Sequence, residues 1–189
     1  MRRKIKTNFL VEKFLRWKAK YLFRAEPISF SKTLREAQRV LIFLPGKVES
    51  FSSAANHLPA ISEIFSNSKI FLLMPFEGGG FLSSLGSFEI IRIDAQDLKW
   101  ISLPKDRFIQ KIKDYNFDIS LDLDLEKNFL NAYLSLLSGS KLRIGVNKPR
   151  EEPFYNLKLV IPETALFRDE SYDSLVRILK NLKSDHQED

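Results

Sequence analysis

Two aspartates near the middle of the chain have the spacing most suggestive of chemistry, in the stretch "DLDL" at 122–125. Asp122 and Asp124 are two positions apart, so on an extended backbone both side chains point to the same side. Two carboxylates in this arrangement can bind a divalent cation that carries a nucleotide diphosphate. They can equally cap the following helix or pair with Lys127. Both interpretations stay open at this point, and the capping interpretation is favoured.

A second candidate is the segment "RIGVNKPREEPFYN" at 143–156, which places cations beside aromatic rings. Lys148 and Arg150 lie just past an apolar run, close to Phe154 and Tyr155. Cations in such a loop can bind an anionic sugar or a phosphate. The alternative is a charged surface loop, and the position of the segment after a strand favours binding.

A third candidate is "LPGKVESFSSAANHLP" at 44–59, which follows the apolar run "RVLIFL". It reads as a strand end, a loop and a helix start, and in an α/β protein such a loop carries ligand-binding groups. Its charged residues are Lys47 and Glu49. His57 falls in the following helix, and no acid is spaced along the chain to orient it as a base.

The elements that position these residues are apolar runs alternating with helical patterns. Unbroken apolar runs are typical of strands covered on both faces. The predicted strands are 39–44, 69–75, 88–94, 117–125, 141–146 and, within "YNLKLVIP", a sixth. Helices are predicted between most of them, and Pro59 should kink the helix at 51–65 or begin a new segment.

This alternation predicts right-handed βαβ crossovers and a mainly parallel sheet with helices on both faces. Ligands bind such sheets beyond the carboxyl ends of the strands. The loops predicted to lie there are 45–53, 76–81, 122–127 and 147–152. The "EGGG" at 77–80 could approach a phosphate, but it matches no phosphate-binding pattern and is better explained as a turn.

Length and composition exclude several classes of site. The chain has 189 residues, which suits one domain with an extension. It has no cysteine and two histidines, which excludes disulfides, thiolate ligands and a histidine-rich metal site. We predict no metal and no cofactor. The longest apolar runs are far shorter than the ~20 residues of a membrane span.

The positive charge is concentrated at the N-terminus. Residues 1–24 contain nine basic side chains and one acid, so this segment carries +8 and the remainder −2 of the net charge of +6. Leu10, Phe14, Trp17 and Tyr21 recur at helical spacing on one stripe. The predicted basic stripe beside them consists of Lys13, Arg16, Lys20 and Arg24.

Such a helix suits a membrane interface, with its cations on anionic headgroups. The equally weighted alternative is a helix that packs its aromatic stripe on its own domain. The segment has no continuous apolar region of the kind found in secretory signals. No nucleic-acid module accompanies the charge, so we predict no nucleic-acid partner.

The body of the chain resembles the N-terminal half of the glycosyltransferase family 9 enzymes, the ADP-heptose:lipopolysaccharide heptosyltransferases. The strongest match is "YNFDISLDLDLEKNFLNAYLSLLSGSKLRIGVNKPREEPFYNLKL", and "HLPAISEIF" resembles the family's Leu-Pro-Ala helix. The likeness extends over residues 38–183.

The resemblance implies a GT-B architecture, in which the N-terminal domain binds a lipid-linked acceptor sugar and a second domain binds the nucleotide sugar. The reaction is an inverting transfer of heptose, with a carboxylate of the N-terminal domain as general base. The sequence is expected to stop where the donor domain would begin.

The match departs from the family at the position of the base. The family has Gly-Asp six to seven residues before the helix proline, where this chain has Ser52 and Ser53. Counting from the strand instead gives Ser50, with Glu49 as the nearby carboxylate that can substitute. Asp124 stands where the family often has glutamine, and Leu125 where it has glycine.

The sequence therefore predicts an α/β protein with a basic amphipathic extension at 1–30 and a single Rossmann-like, acceptor-type domain at 31–189. The predicted acceptor-binding residues are Lys47, Asp122, Asp124, Lys148 and Arg150. The predicted function is a non-catalytic, glycosyltransferase-like protein that binds a glycolipid or a protein at the cytoplasmic face of the inner membrane. The alternatives are the acceptor subunit of a split transferase and a scaffold subunit of an envelope assembly.

Overall fold

A computed structural model describes residues 9–22, 27–75, 88–148, 153–161 and 168–184 of the chain. The helices in these ranges are α1 (Phe9–Leu22), α2 (Phe30–Glu36), α3 (Val48–Ile64), α4 (Asp106–Asp114), α5 (Phe129–Leu137) and α6 (Arg168–Ser184). The strands are β1 (Arg39–Phe43), β2 (Lys69–Pro75), β3 (Glu89–Ile93), β4 (Ile119–Asp122), β5 (Leu142–Val146) and β6 (Leu157–Leu159). A 3₁₀ turn at Ala95–Asp97 precedes α4.

The six strands form one sheet in the order β3-β2-β1-β4-β5-β6. Every neighbouring pair is parallel, which confirms the predicted parallel α/β fold. This is the doubly wound strand order, in which the direction of winding reverses between β1 and β4. Ligands of such sheets bind in the crevice beyond the carboxyl ends of these two strands.

Alternation along β1 explains why the sheet needs helices on both faces. Val40 and Ile42 are fully buried in the core cluster that includes residues of α3 and α6. Leu41 and Phe43 are fully buried in a second cluster, with residues of α4 and α5. A strand buried on both sides has no polar face, and this is the reason for the unbroken apolar run in the sequence.

The helix after β1 differs from the prediction. It begins at Val48, three residues earlier than expected, and continues through Pro59 as one helix rather than two segments. Pro59 itself is exposed. The neighbouring Leu58 and Ile61 are buried against the sheet, so packing holds the helix together despite the backbone hydrogen bond that a proline cannot donate.

The N-terminal helix α1 packs on the body of the protein, but not through its aromatic stripe. Leu15 and Ala19 are buried in a third cluster with Phe129 and Ala132 of α5. In the part of the chain that the structure describes, no helix is long and apolar enough to span a bilayer.

Candidate functional site

The candidate site is the crevice at the carboxyl ends of β1, β4 and β5. The backbone of Leu123 continues the pairing past the end of β4, because its amide donates to the carbonyl of Phe43 at 3.0 Å. The hydroxyl of Tyr172 on α6 donates to the carbonyl of Leu123 at 2.8 Å. The loop after β4 is therefore fixed from both the sheet and a helix.

Asp122 lies at the centre of this edge and is completely buried. Its Oδ1 accepts hydrogen bonds from the amide of Asp124 at 3.0 Å and from the side chain of Asn131 at 3.1 Å. Its Oδ2 accepts from the hydroxyl of Tyr155 at 2.5 Å and is 2.9 Å from Nζ of Lys148. Four donors occupy the usual acceptor capacity of a carboxylate, so Asp122 is held as a structural anion.

Lys148 is almost as deeply buried as its partner, with 3% of its side chain exposed. Besides Asp122, its ammonium group donates to the carbonyls of Asp124 at 2.5 Å and Glu126 at 2.8 Å. These three acceptors match the three protons of an ammonium group. Lys148 therefore ties the loop after β5 to the loop after β4.

Asp124 is the second carboxylate of the predicted pair. It is buried, and it accepts from the amide of Glu126 at 3.1 Å and from the side chain of Asn128 at 3.0 Å. Asn128 is the N-terminal cap of α5, so Asp124 supports the cap rather than a ligand. Burial raises the pKa of Asp124, and the hydrogen bond from Asn128 opposes that shift.

The structure thus brings Asp122, Asp124 and Lys148 together, as the sequence indicated, but in a closed hydrogen-bond network. Among the residues described, no group of three or more histidine, cysteine or acidic residues could hold a metal ion. The capping interpretation fits this geometry, with one difference. The cationic partner is Lys148 and not Lys127, which faces Glu12 of α1 at 3.8 Å.

Two members of the network, Tyr155 and Asn131, have little signal in the sequence. Tyr155 belongs to a segment that the sequence singled out, but nothing in the pattern pairs it with Asp122, 33 positions earlier. Gly145 supplies the necessary space. A Cβ atom there would lie 2.8 Å from Cγ of Lys148 and from the ring of Tyr155. Asn131 could have been noticed as a polar residue on the inner face of an apolar helix.

A second ion pair crosses the crevice at the surface. Nζ of Lys47, after β1, lies 2.7 Å and 2.5 Å from the two carboxylate oxygens of Glu126, after β4. Both side chains are about half exposed. The predicted acceptor residue Lys47 therefore lies at the crevice and is accessible from solvent, in contrast to the buried Lys148.

Glu49 and Ser53 both lie on α3. Glu49 is exposed in the first turn of the helix, beside the crevice. Ser53 lies one turn further and is half-buried, and its backbone carbonyl is 2.7 Å from Nδ1 of His57. Of the two residues considered for the base, only Glu49 combines a carboxylate with exposure.

His57 has an acidic neighbour that its sequence surroundings did not predict. Its Nε2 lies 3.1 Å from Oδ1 of Asp173, on α6. The two residues are 116 positions apart, and only the packing of α6 against α3 brings them together. The contact joins two helices on the face of the sheet opposite α5, so it holds the fold rather than the crevice.

The residues predicted to contact a membrane divide into two groups. Trp17 is exposed, as are Leu10, Phe14 and Tyr21 on the same stripe and the nearby Lys13 and Lys20.

Arg16 differs from this group, because it is half-buried with its guanidinium over the rings of Phe129 and Phe154. The structure therefore places Arg16 against the body of the protein. Arg24, Arg150 and the "EGGG" segment at 77–80 lie outside the described residues.

Two surface cavities lie away from this edge of the sheet. One, of about 500 Å³, is lined by residues of α4, and the other, of about 470 Å³, lies at the amino ends of β1 and β2. Both are shallow and neither contains a residue of the buried network. The crevice remains the candidate because of strand order and the side chains that converge there.

Solved structures with a similar fold include glycosyltransferases. The chain is similar to the glycosyl transferase family 9 protein of Veillonella parvula, with 14% identity and a TM-score of 0.57, covering 77% of this chain and 41% of that one. It is also similar to the E. coli heptosyltransferase WaaC, with 17% identity and a TM-score of 0.59, covering 75% and 46%.

A third similar structure is the E. coli ADP-heptose lps heptosyltransferase II, with 16% identity and a TM-score of 0.57, covering 74% of this chain and 40% of that one. The chain thus spans less than half the length of the enzymes it matches. At these identities the likeness establishes the fold, and it confirms the predicted resemblance to family 9 at that level.

The comparison with curated proteins gave no match. A family model does match, over residues 12–182, which is most of the chain. That range includes the crevice, the buried network and all of α1 except its first turn. The chain therefore belongs to the family of unknown function DUF6913.

Proposed function

We propose that this protein is a glycosyltransferase-like module that binds a lipid-linked, anionic glycan at the cytoplasmic face of the inner membrane without transferring sugar by itself. The observation that carries the proposal is the state of two carboxylates at the carboxyl end of β4. Asp122 is saturated by four donors, and Glu126 is paired with Lys47. A general base needs an accessible carboxylate within reach of the acceptor hydroxyl.

The fold supports a glycan ligand, because proteins with this architecture include heptosyltransferases. This support is an analogy at the level of the fold, so the choice of ligand depends on the side chains at the crevice. Lys47 is an exposed cation at the crevice, and it can exchange Glu126 for a phosphate or carboxylate of a ligand. A cation held only by a surface pair is readily available for such an exchange.

The membrane part of the proposal is supported by the exposed face of α1. Its aromatic stripe consists of Leu10, Phe14, Trp17 and Tyr21, and more than half of each side chain is exposed. Lys13, Lys18 and Lys20 flank the stripe and are exposed as well. An apolar stripe bordered by lysines is complementary to an anionic lipid surface, where rings enter the interface and ammonium groups meet headgroups.

The transfer reaction gives a direct test of the non-catalytic proposal. The purified full chain is incubated with ADP-heptose and a lipid-linked acceptor, and the product is measured by mass spectrometry. We expect no product. In a separate vesicle-binding assay, we expect the chain to bind vesicles that contain a phosphorylated glycolipid more tightly than phosphatidylglycerol vesicles of equal surface charge. Heptose transfer by the chain alone would overturn the proposal, as would equal binding to both vesicles.

Lys47→Met tests whether the crevice binds the glycolipid in this assay. It should remove the preference for the glycolipid while leaving the binding to phosphatidylglycerol unchanged, because α1 is unaltered. Lys69→Met is the matched control, since Lys69 forms a comparable exposed pair with Glu89 at the opposite end of the sheet. A loss of preference in both variants would contradict a role of Lys47 in the ligand site.

A second candidate function is favoured by Glu49. Its carboxylate is exposed in the first turn of α3, beside the crevice. In a split transferase, with a donor domain on another chain, Glu49 would take the acceptor proton. That function predicts activity in the complex of the two chains and a loss of at least about a hundredfold in Glu49→Gln.

Membrane docking by α1 is tested by flotation of the full chain on phosphatidylglycerol vesicles. Lys13→Glu with Lys20→Glu should weaken binding by at least about tenfold, because each lysine near an anionic surface contributes about 1 kcal/mol. Lys111→Glu with Lys113→Glu, at two exposed positions on α4, is the matched control. Equal losses in the two variants would indicate net charge alone and would contradict docking through α1.

A further inference from the structure

We propose that the turn at 98–104, with Trp100 at its tip, is a second lipid-contacting element that enters the same anionic membrane surface as α1. The inference rests on the membrane docking proposed above and adds a separate part of the chain to it. Trp100 is 94% exposed, although a tryptophan is among the residues that gain most from leaving water.

The turn is fixed by backbone hydrogen bonds. The amide of Lys99 donates to the carbonyl of Leu103 at 2.7 Å, and the amide of Ser102 donates to the carbonyl of Lys99 at 2.8 Å. Ser102 adopts the left-handed region, with φ of 60°. Leu98 and Pro104 form an antiparallel bridge at the base. Trp100 is therefore held outward by a closed turn.

The turn packs on the same cluster as α1. Leu103 is half-buried and packs on the cluster that contains Leu15 and Ala19 of α1. Tyr133 of α5 packs on the same cluster, and burial raises the pKa of Tyr133 while the nearby charge of Lys99 opposes the shift. The packing of Leu103 thus places the turn at the edge of the cluster that holds α1.

The charges around the two elements indicate a lipid partner. In the turn, Lys99 is paired with Asp106, so the turn offers the indole ring of Trp100 to the membrane and no unpaired charge. On α1, Lys13, Lys18 and Lys20 are exposed beside the aromatic stripe. Cations on one element and an exposed indole on its neighbour match an interface in which headgroups are anionic and rings lie below them.

The chain contains two tryptophans, Trp17 on α1 and Trp100 on the turn, which makes a residue-specific fluorescence test available. Trp17→Phe leaves Trp100 as the single reporter, and Trp100→Phe leaves Trp17. Each full-length variant is titrated with phosphatidylglycerol vesicles, and quenching by brominated acyl chains is measured. We expect a blue shift and quenching for both reporters.

The outcomes separate this inference from the docking proposal. If Trp17 is quenched and Trp100 is not, docking by α1 stands and the role of the turn is wrong. If neither reporter responds at lipid concentrations at which the chain floats, the protein reaches the vesicles by another surface, and both proposals fail. Quenching of Trp100 on neutral and anionic vesicles alike would contradict the assignment of an anionic surface.

A flotation experiment gives a second readout. Trp100→Ser should weaken binding by at least about tenfold, because the interface loses the transfer of one large aromatic side chain. Phe30→Ser is the matched control, since Phe30 is a partly exposed aromatic residue that begins α2, on the opposite face of the sheet. Equal effects of the two substitutions would overturn the inference. Circular dichroism of both variants confirms that they are folded.

Discussion

Two lysine–carboxylate pairs lie at the same edge of the sheet and differ mainly in burial. Lys148 and Asp122 have 3% and 0% of their side chains exposed, whereas Lys47 and Glu126 have 61% and 47%. The buried pair is part of a network in which each donor and acceptor has a partner, and the exposed pair lies in contact with solvent. The same ionic chemistry therefore fixes two loops in one place and leaves a replaceable contact in the other.

Burial explains this difference through desolvation. A buried pair has lost the hydration of both ions, so removing one partner leaves a charge that neither water nor protein compensates. An exposed pair keeps most of its hydration, and water replaces a lost partner. The deeply buried site residues, Asp122 and Lys148, thus stabilise the structure. The exposed residues, Lys47 and Glu126, are the ones that a ligand can reach.

The largest effect is expected from Lys148→Met. It leaves the Asp122 carboxylate buried without its cation, so the free energy of unfolding should fall by about 3–5 kcal/mol. Urea denaturation at neutral pH measures the change. The double variant Asp122→Asn with Lys148→Met should lose less than the two single losses added together, because no lone charge remains. A loss below about 1 kcal/mol in Lys148→Met would make the two pairs equivalent and remove the comparison.

The next largest effect is expected from Tyr155→Phe. The ring keeps its packing, but Asp122 loses the hydroxyl that donates to it at 2.5 Å. An unsatisfied buried acceptor costs about 1–3 kcal/mol in the free energy of unfolding. Tyr21→Phe, on the exposed face of α1, serves as the control and should change stability by less than about 0.5 kcal/mol. Equal stabilities for the two variants would show that the hydroxyl contact contributes nothing.

A smaller effect is expected from Asp124→Asn, through the pH dependence of stability. Burial raises the pKa of Asp124 from its ordinary value of 3.8, so the folded protein binds this proton more tightly than the unfolded chain. The resulting stability is fully present below about pH 3.8 and is lost as the pH rises through the raised pKa. As the pH rises from about 3.8 through the raised pKa, the free energy of unfolding of the wild type should therefore fall relative to that of Asp124→Asn.

Denaturation of both proteins at a series of pH values above the ordinary pKa measures this difference. Asp124 accepts from the amide of Glu126 through Oδ1 and from Asn128 through Oδ2, so asparagine, with one oxygen, keeps only one of these hydrogen bonds. That loss is the same at every pH, so the change of the difference with pH reports the pKa. A difference that grows in favour of the wild type with rising pH would mean that the folded pKa is lowered. Hydrogen bonding would then outweigh desolvation at this site.

The smallest effect is expected from Lys47→Met, which breaks the exposed pair. The free energy of unfolding should fall by about 0–1 kcal/mol, and added salt should reduce the difference further. Lys69→Met breaks another exposed pair of similar accessibility and should behave alike. If Lys47→Met destabilises the protein as much as Lys148→Met, burial is not what distinguishes the two pairs.

Much of the fold could be predicted from the sequence, because the relevant signals are local. The unbroken run at Val40, Leu41 and Ile42 required a strand buried on both faces, and the alternation with helices required a parallel sheet. The edge of the sheet at which Asp122 and Lys148 meet followed from the same rule, since each comes at or after the end of a strand.

The partners of the site residues depended on tertiary structure. Asp122 could not be paired with Tyr155 or Lys148 from spacing, because their contact requires β5 to lie next to β4. The Asp173 carboxylate beside His57 likewise depends on how α6 packs on α3. Desolvation follows from these placements, so whether a carboxylate was structural or available could not be read from residue type.

The N-terminal helix shows the same division. Its amphipathic character, with aromatic and basic stripes, was fixed by residue order alone. Which stripe packs was decided by the surface that receives it. Leu15 and Ala19 pack against Phe129 and Ala132 of α5, and Arg16 lies over the ring of Phe129. The sequence determined the faces of α1, and complementarity with α5 decided that the aromatic face remains exposed.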